Sequence, residues 1–256
     1  IQTRVKRAFA TQRWIASFWE APAHYTALSP PSEYDFVATY ALDATFPNYA
    51  MVQGTFHKHV QRTTAVPYAR KTMNSMMSVW ISNCAAQPRL KLLAQLQQAG
   101  VTTSSYGRCQ HAITNNQAQF PTPWDGDTDN VYKFAAQHLF FYAAENADCR
   151  GYVTEKVYHG LVAGSVPVYF GSNYAKRMVP SHSTVFASDY AGPVALARAL
   201  NALARNHVQY EEYLAWRLKP LEPHMLQIMT WQHSDCNLCN KLRTNSVQHH
   251  NWTSWC

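Results

Sequence analysis

A lysine in the first turn of a helix is out of place, because the macrodipole puts partial positive charge at that end. The segment Glu145-Asn146-Ala147-Asp148-Cys149-Arg150-Gly151-Tyr152-Val153-Thr154-Glu155-Lys156 ends on such a lysine. An anion held between Lys156 and the helix N-terminus would resolve the conflict, and the chemistry this suggests is phosphate binding. Arg89 repeats the oddity at the start of another helix, again directly after an apolar strand. Two such junctions meeting at the carboxyl edge of one sheet suit a nucleoside diphosphate, to which a guanidinium adds bidentate contacts. The bland alternative is that both side chains turn into solvent. Glu155 is either an acceptor for ribose or sugar hydroxyls or simply a favourable first-turn acid. Asn146 and Tyr152 bracket the loop and suit contacts to a base or a phosphate, although both are also ordinary loop formers.

These residues need elements to position them, and the surrounding pattern supplies strand, polar loop, helix, strand. His138 to Ala144 and Val166 to Phe170 are apolar runs, and between them Val153 to Ala163 has helical spacing with Val157, Leu161 and Val162 on one side. Upstream, Met77 to Ser82 reads as a buried strand. Pro88 then suits the first turn of a helix with Leu90, Leu93 and Leu96 as its stripe and Gly100 as its stop. Val101 to Tyr106 reads as a further strand and Asn115 to Asn130 as a polar surface loop. Pro193 to Asn206 reads as a helix carrying Leu196, Leu200 and Leu203. Strands alternating with helices predict an α/β, doubly wound, Rossmann-like domain over residues 76–256, with a C-terminal extension. No GxGxxG stretch occurs, which argues against a dinucleotide site of the usual kind. Residues 1–75, punctuated by Pro22, Pro30, Pro31, Pro47 and Pro67, form a separate N-terminal lobe.

Composition bounds the partners. The 256 residues carry a formal charge of +7, yet Lys and Arg are scattered and Asp and Glu are scarce. Such an excess favours anionic substrates rather than a nucleic-acid interface. No apolar run approaches the roughly 18 residues of a membrane span, and Ile1 to Arg7 has no signal-peptide core. The expectation is a cytosolic protein or a chain lacking its targeting segment. Six cysteines form an even set that permits disulfides, and with one sequon at Asn251 they lean towards an oxidising compartment. Asp125-Gly126-Asp127-Thr128-Asp129 has Ala136 where a calcium loop needs its bidentate Glu, so it reads as a solvated loop. His57-Lys58-His59 and Cys236-x-x-Cys239 lack partner ligands for zinc.

Several stretches, in one order, resemble the α-1,3-fucosyltransferases, glycosyltransferase family ten. They are Ser82-Asn83-Cys84 with Arg89, Tyr106-Gly107-Arg108-Cys109, Tyr132-Lys133-Phe134, Glu145-Asn146, Tyr152-Val153-Thr154-Glu155-Lys156, Gly164-Ser165-Val166-Pro167-Val168, Tyr213-Leu214-Ala215-Trp216-Arg217 and Cys236-Asn237-Leu238-Cys239. The resemblance implies a GT-B fold with a shortened N-terminal acceptor lobe, and inverting transfer of fucose from GDP-fucose to a glycan hydroxyl. Arg89 and Lys156 would neutralise the pyrophosphate, and Asn146, Tyr152 and Glu155 would hold the nucleotide, ribose or fucose. Phe18-Trp19-Glu20-Ala21-Pro22 resembles the family block carrying the general base, which implies that role for Glu20, with Ala21 in place of the usual serine. The Arg usual after the Thr-Tyr of the Tyr34 to Tyr40 tract is Ala41 here. No cofactor or donor-site metal is implied; a divalent cation such as manganese would be stimulatory only. Cys236 and Cys239 would form disulfides, and Cys84 with Cys109 is the favoured bridge. The Glu20-Ala21-Pro22 and Gly164 to Val168 stretches look most like plant-type enzymes, implying a glycoprotein N-glycan core GlcNAc as acceptor. N-acetyllactosamine, or an inactive nucleotide- or glycan-binding homologue, is the alternative. Family members are Golgi membrane proteins with a lumenal catalytic domain, held by an N-terminal anchor absent from this chain.

Overall fold

The computed structural model describes residues 8–9, 11–17, 20–21, 34–40, 46–47, 65–71, 75–109, 128–230, 239–240 and 242–243. The His57-Lys58-His59 motif, Asp125, Asp127, Cys236 and most of the expected 115–130 loop lie outside them. Strands β1 (Ile15–Ser17), β2 (Phe36–Thr39) and β3 (Phe46–Pro47) form a small parallel sheet in that order. Strands β4 (Met77–Val79), β5 (Thr103–Ser105), β6 (Phe140–Ala144), β7 (Val166–Phe170) and β8 (Val185–Phe186) form a second parallel sheet, ordered β5-β4-β6-β7-β8. Phe140 lies opposite both Met77 and Val166, so the central strand is paired along its length.

The two-residue period of β6 explains how one strand feeds two cores. Phe140, Tyr142 and Ala144 pack with Leu93 and Leu96 of α1 (Gln87–Gln98) on one face. Leu196 and Leu200 of a later helix, Pro193–Leu203, join them there. Phe141 and Ala143 pack on the other face with Val131 of α2 (Thr128–Ala135) and Val157 and Leu161 of α3 (Glu155–Ala163). All five residues of β6 are buried, as a parallel strand covered on both sides requires. The remaining helices are α4 (Pro193–Leu203), α5 (His207–Glu212) and α6 (Pro223–Thr230).

Several boundaries differ from the sequence expectation for local reasons. The helix expected to run to Asn206 stops at Leu203, because the Asn206 side chain accepts the Gln209 N–H at 3.2 Å and starts α5. Leu90 is only half-buried, and Leu92 takes its place beside Leu93 and Leu96. Helix α2 was not expected: its first turn is polar, yet Val131, Tyr132 and Ala135 bury one side of it. Gly164 ends α3 at φ +70°, and a Cβ there would lie 2.7 Å from that of Ala65.

Residues 65–71, counted with the N-terminal lobe by sequence, pack on the larger sheet domain. Lys71 is buried, and its Nζ donates to the carbonyls of Ala136, His138 and Gly164 at 2.9, 3.2 and 2.9 Å. It gathers the C-terminal ends of α2 and α3, where a cation is favourable, while burial pulls its pKa down to about 7. A Cys84–Cys109 disulfide joins the loop after β4 to that after β5. Cys149 is also disulfide-bonded, and Cys239 is free and exposed, against the expectation for it. Gly107 lets these two loops touch: a Cβ there would fall 2.2 Å from the Ile81 carbonyl oxygen. We therefore expect Gly107→Ala to cost about 1–3 kcal/mol, the range for overpacking, measurable by urea unfolding.

Candidate active site

Glu145, the first residue beyond β6, organises the edge of the sheet. Its side chain is fully buried; Oε1 accepts the Thr154 N–H at 2.8 Å and Oε2 accepts the Thr154 hydroxyl at 2.8 Å. Thr154, the N-cap residue of α3, makes no side-chain cap of its own; Glu145 reaches across the loop and accepts the cap residue's own N–H, as the glutamate of a capping box does. This also sets where α3 begins, two residues later than the spacing suggested. Lys156 Nζ lies 3.3 Å from Glu145 Oε2, donates to Thr154 Oγ1 at 2.8 Å and pairs with Glu155 Oε1 at 3.2 Å. The anion expected from the dipole conflict is thus supplied first by the protein itself. Burial pushes the Glu145 carboxyl above the usual range against the pull of Lys156, and the two carboxylates hold the Lys156 ammonium above its ordinary value against burial. Lys156 keeps 18 % of its side chain exposed.

Arg89 lies at the third position of α1 and is only 2 % exposed. Its Nη1 donates to the Ala144 carbonyl at 3.1 Å and its Nη2 to that of Asn83 at 2.8 Å, stitching the loop after β4 to the end of β6. Its own carbonyl accepts the Tyr142 hydroxyl at 2.7 Å. Two of the guanidinium nitrogens expected for phosphate are therefore engaged with backbone; Nε is buried and has no hydrogen-bond partner among the described residues. Burial lowers the Arg89 pKa, opposed by Glu145 and Glu155, and Lys156 in turn feels Arg89. The two cations predicted to converge do so, around the Glu145 carboxylate. This is the switch point of the sheet, where β5 lies to one side of β4 and β6 to the other.

The other expected residues fall into two groups. Glu155 offers Oε1 to Lys156, while its Oε2 is buried and has no partner among the described residues; burial pushes its carboxyl up, but Lys156 and His159 hold it below the usual range. Asn146 is half-buried with Oδ1 likewise unpartnered. Tyr152 differs from both: it is fully buried and its hydroxyl donates to the Glu20 carboxylate. Its carbonyl accepts the Tyr169 hydroxyl at 3.3 Å, and its ring meets Tyr40 edge-on, centroids 5.0 Å apart. Glu20, three residues beyond β1, is half-buried at this contact between the two sheets' domains. Sequence reasoning gave no role to Glu145, Tyr40 or Tyr169. The available signal for Glu145 was an acid directly ending an all-apolar strand, where it cannot avoid burial.

His159 packs edge-on to Tyr132 and Phe141, at 5.6 and 6.3 Å between ring centroids. Burial lowers its pKa from 6.5 to about 4, and that of His138 also falls. A depressed folded value means that the unfolded chain binds the proton more readily, so stability is full above pH 6.5 and is lost as pH falls towards 4. The His159 share is up to about 3 kcal/mol. Thermal melts between pH 7 and 4.5 check this, with His159→Gln expected to flatten the decline.

Among the described residues no group of three or more His, Cys, Asp or Glu stands ready to hold a metal ion, and no helix is long and apolar enough to cross a membrane.

Residues 69–255 match the family model described as "Glycosyltransferase family 10 (fucosyltransferase) C-term". The chain belongs to glycosyltransferase family 10. Its relatives in this family include the GDP-fucose protein O-fucosyltransferase 3 of Gallus gallus, 36 % identical over 162 residues, which are 57 % of this chain and 34 % of the relative. The Homo sapiens protein of the same name is 37 % identical over 120 residues, 46 % of this chain and 25 % of the relative. The chain thus spans about a third or less of the length of these relatives. In fold it is similar to a crystal structure of an α1,3-fucosyltransferase with GDP-fucose, at TM-score 0.66 and 17 % identity, covering 92 % of this chain and 77 % of that one. A GDP complex gives TM-score 0.64 at 16 % identity, covering 92 % and 76 %. The family 10 chain therefore has the α/β, GT-B type fold that the sequence resemblance implied.

Proposed function

We propose that this family 10 chain is the donor-binding and catalytic part of an inverting fucosyltransferase that uses GDP-fucose. One observation carries the reading: around Lys156, at the switch point, several buried polar atoms have no hydrogen-bond partner among the described residues. They include Arg89 Nε, Asn146 Oδ1 and Glu155 Oε2. Buried polar atoms are normally satisfied, and one donor with two acceptors beside a lysine suits an anionic ligand that also carries hydroxyls. A sugar nucleotide has both. In this reading Lys156 and Arg89 stabilise the negative charge that develops on the departing diphosphate, and Glu155 and Asn146 accept from hydroxyl or amino groups of the donor. Glu20 takes the proton of the acceptor hydroxyl as its oxygen bonds to fucose C1 on the face opposite the breaking C1–O–phosphate bond. GDP leaves with the bonding electrons, and the anomeric centre inverts. No divalent cation is needed in these steps, so transfer is expected to persist in EDTA.

The acceptor we infer is a hydroxyl of a protein side chain, supported by relatives named protein O-fucosyltransferase 3 at 34 to 38 % identity. An N-glycan core GlcNAc is the second reading, supported by the likeness of Phe18 to Pro22 and Gly164 to Val168 to plant-type sequences. The Cys84–Cys109 and Cys149 disulfides favour an oxidising compartment such as the Golgi lumen. The test is mass spectrometry of the full-length protein's products from GDP-fucose with folded Ser/Thr-containing domains, N-glycans and N-acetyllactosamine. Fucose released by β-elimination from a domain supports the first acceptor, and fucose on a glycan core supports the second. GDP binding with transfer to none would instead mark an inactive homologue.

A further inference from the structure

We infer that the groove between α1 and α4 docks an acidic peptide segment of a protein partner, an inference independent of the transferase reading above. The two helices pack through Leu93, Leu96, Leu196 and Leu200. Their outer surfaces leave an open groove of about 840 Å³. Surface helices usually interleave acids with bases three or four residues apart. Neither α1 nor α4 contains an aspartate or glutamate, and among the described residues no acid lines the groove. Its charged residues are Arg198 and Arg205. Both are exposed, and among the described residues neither guanidinium has an ion-pair partner.

The rest of the lining decides which kind of anion fits. Ala99, Pro193, Val194 and Ala202 give the groove an apolar surface, and Val194 is 63 % exposed. A sulfated sugar chain or a nucleic-acid backbone has no aliphatic side chains to cover it, whereas a peptide does. Gln95 and Gln98 line the α1 side, and their amides carry donors and acceptors that match the N–H and C=O of a main chain. Arg205 follows Arg198 by two helical turns, roughly 10 Å along the axis, or about three residues of extended chain. The segment that fits therefore carries carboxylates at about that interval, with valine or leucine between them. Each guanidinium fork would hold one carboxylate in bidentate geometry.

The test is fluorescence anisotropy of the full-length protein with a labelled peptide of repeated Glu-Val-Leu units at low salt. Saturable binding is expected, weakened about tenfold or more when Arg198→Glu and Arg205→Glu are combined. Val194→Ser should weaken it as well, and replacing the peptide's glutamates by lysine should abolish it. The three substituted positions are exposed, so the variants are expected to keep the wild-type melting temperature. Absence of saturable binding would overturn the inference, as would equal affinity in the double charge variant. No effect of Val194→Ser, or tighter binding of a heparin fragment than of the peptide, would overturn the peptide assignment in favour of a plain polyanion surface. The assay reads no fucose transfer, so its failure and a failure of the functional reading are distinct results.

Discussion

Glu20→Gln should reduce fucose transfer by about 10²–10⁴-fold, the usual contribution of a positioned general base, while GDP affinity is retained. The substitution keeps the size of the side chain and still accepts the Tyr152 hydroxyl, so Tyr152 and its Tyr40 contact stay in place. It removes only the capacity to take a proton. Initial rates at saturating GDP-fucose, compared with calorimetric GDP titrations, separate the two effects. A rate within threefold of wild type would remove Glu20 from the chemistry and would move the search for the base to another residue near the acceptor.

Lys156→Met should be the most destabilising change at the site, by about 3–5 kcal/mol, because it leaves a buried carboxylate without its nearest cation. Glu145 has no exposed side-chain surface, and Lys156 stands 3.3 Å from it. Arg89 is a further positive charge acting on that cluster, and its Nη groups are held by the Ala144 and Asn83 carbonyls. Denaturant unfolding would measure the loss. Adding Glu145→Gln should recover part of it by neutralising the stranded charge, although the Thr154 N–H then keeps only a weaker acceptor. GDP affinity should fall in both variants, since neither restores the ammonium. Unchanged stability in Lys156→Met would mean that the Glu145 contacts to Thr154 alone hold the start of α3.

Strands β4 to β7 and helices α1, α3 and α4 were legible because their signals are local. Strand β7 has the bounds expected, Val166–Phe170, since Gly164-Ser165 and Gly171 flank an apolar run. Helix α1 announced itself through Pro88, three leucines and Gly100, which sits at φ +90°. Helix α2 was hidden: its first turn continues a polar, proline-containing stretch, and what keeps it helical is the pocket that Val131 and Ala135 fill between α3 and the sheet. The C-terminal end of α4 was misplaced because Asn206 reads equally well as a last helical residue or as the cap of the next helix.

What the sequence by itself determined is that Arg89 and Lys156 carry charge at the wrong end of two helices, each following a buried strand of one parallel sheet. Helix polarity and strand order then bring them to one edge, whatever the details of packing. Only the tertiary structure decided what faces them. Glu145 and Thr154 are nine residues apart and Glu20 and Tyr152 are 132, and no periodicity reports on such pairs. Burial makes these partnerships matter: a carboxylate withdrawn from water must find donors and a cation, and which ones it finds depends on the packing of the whole domain.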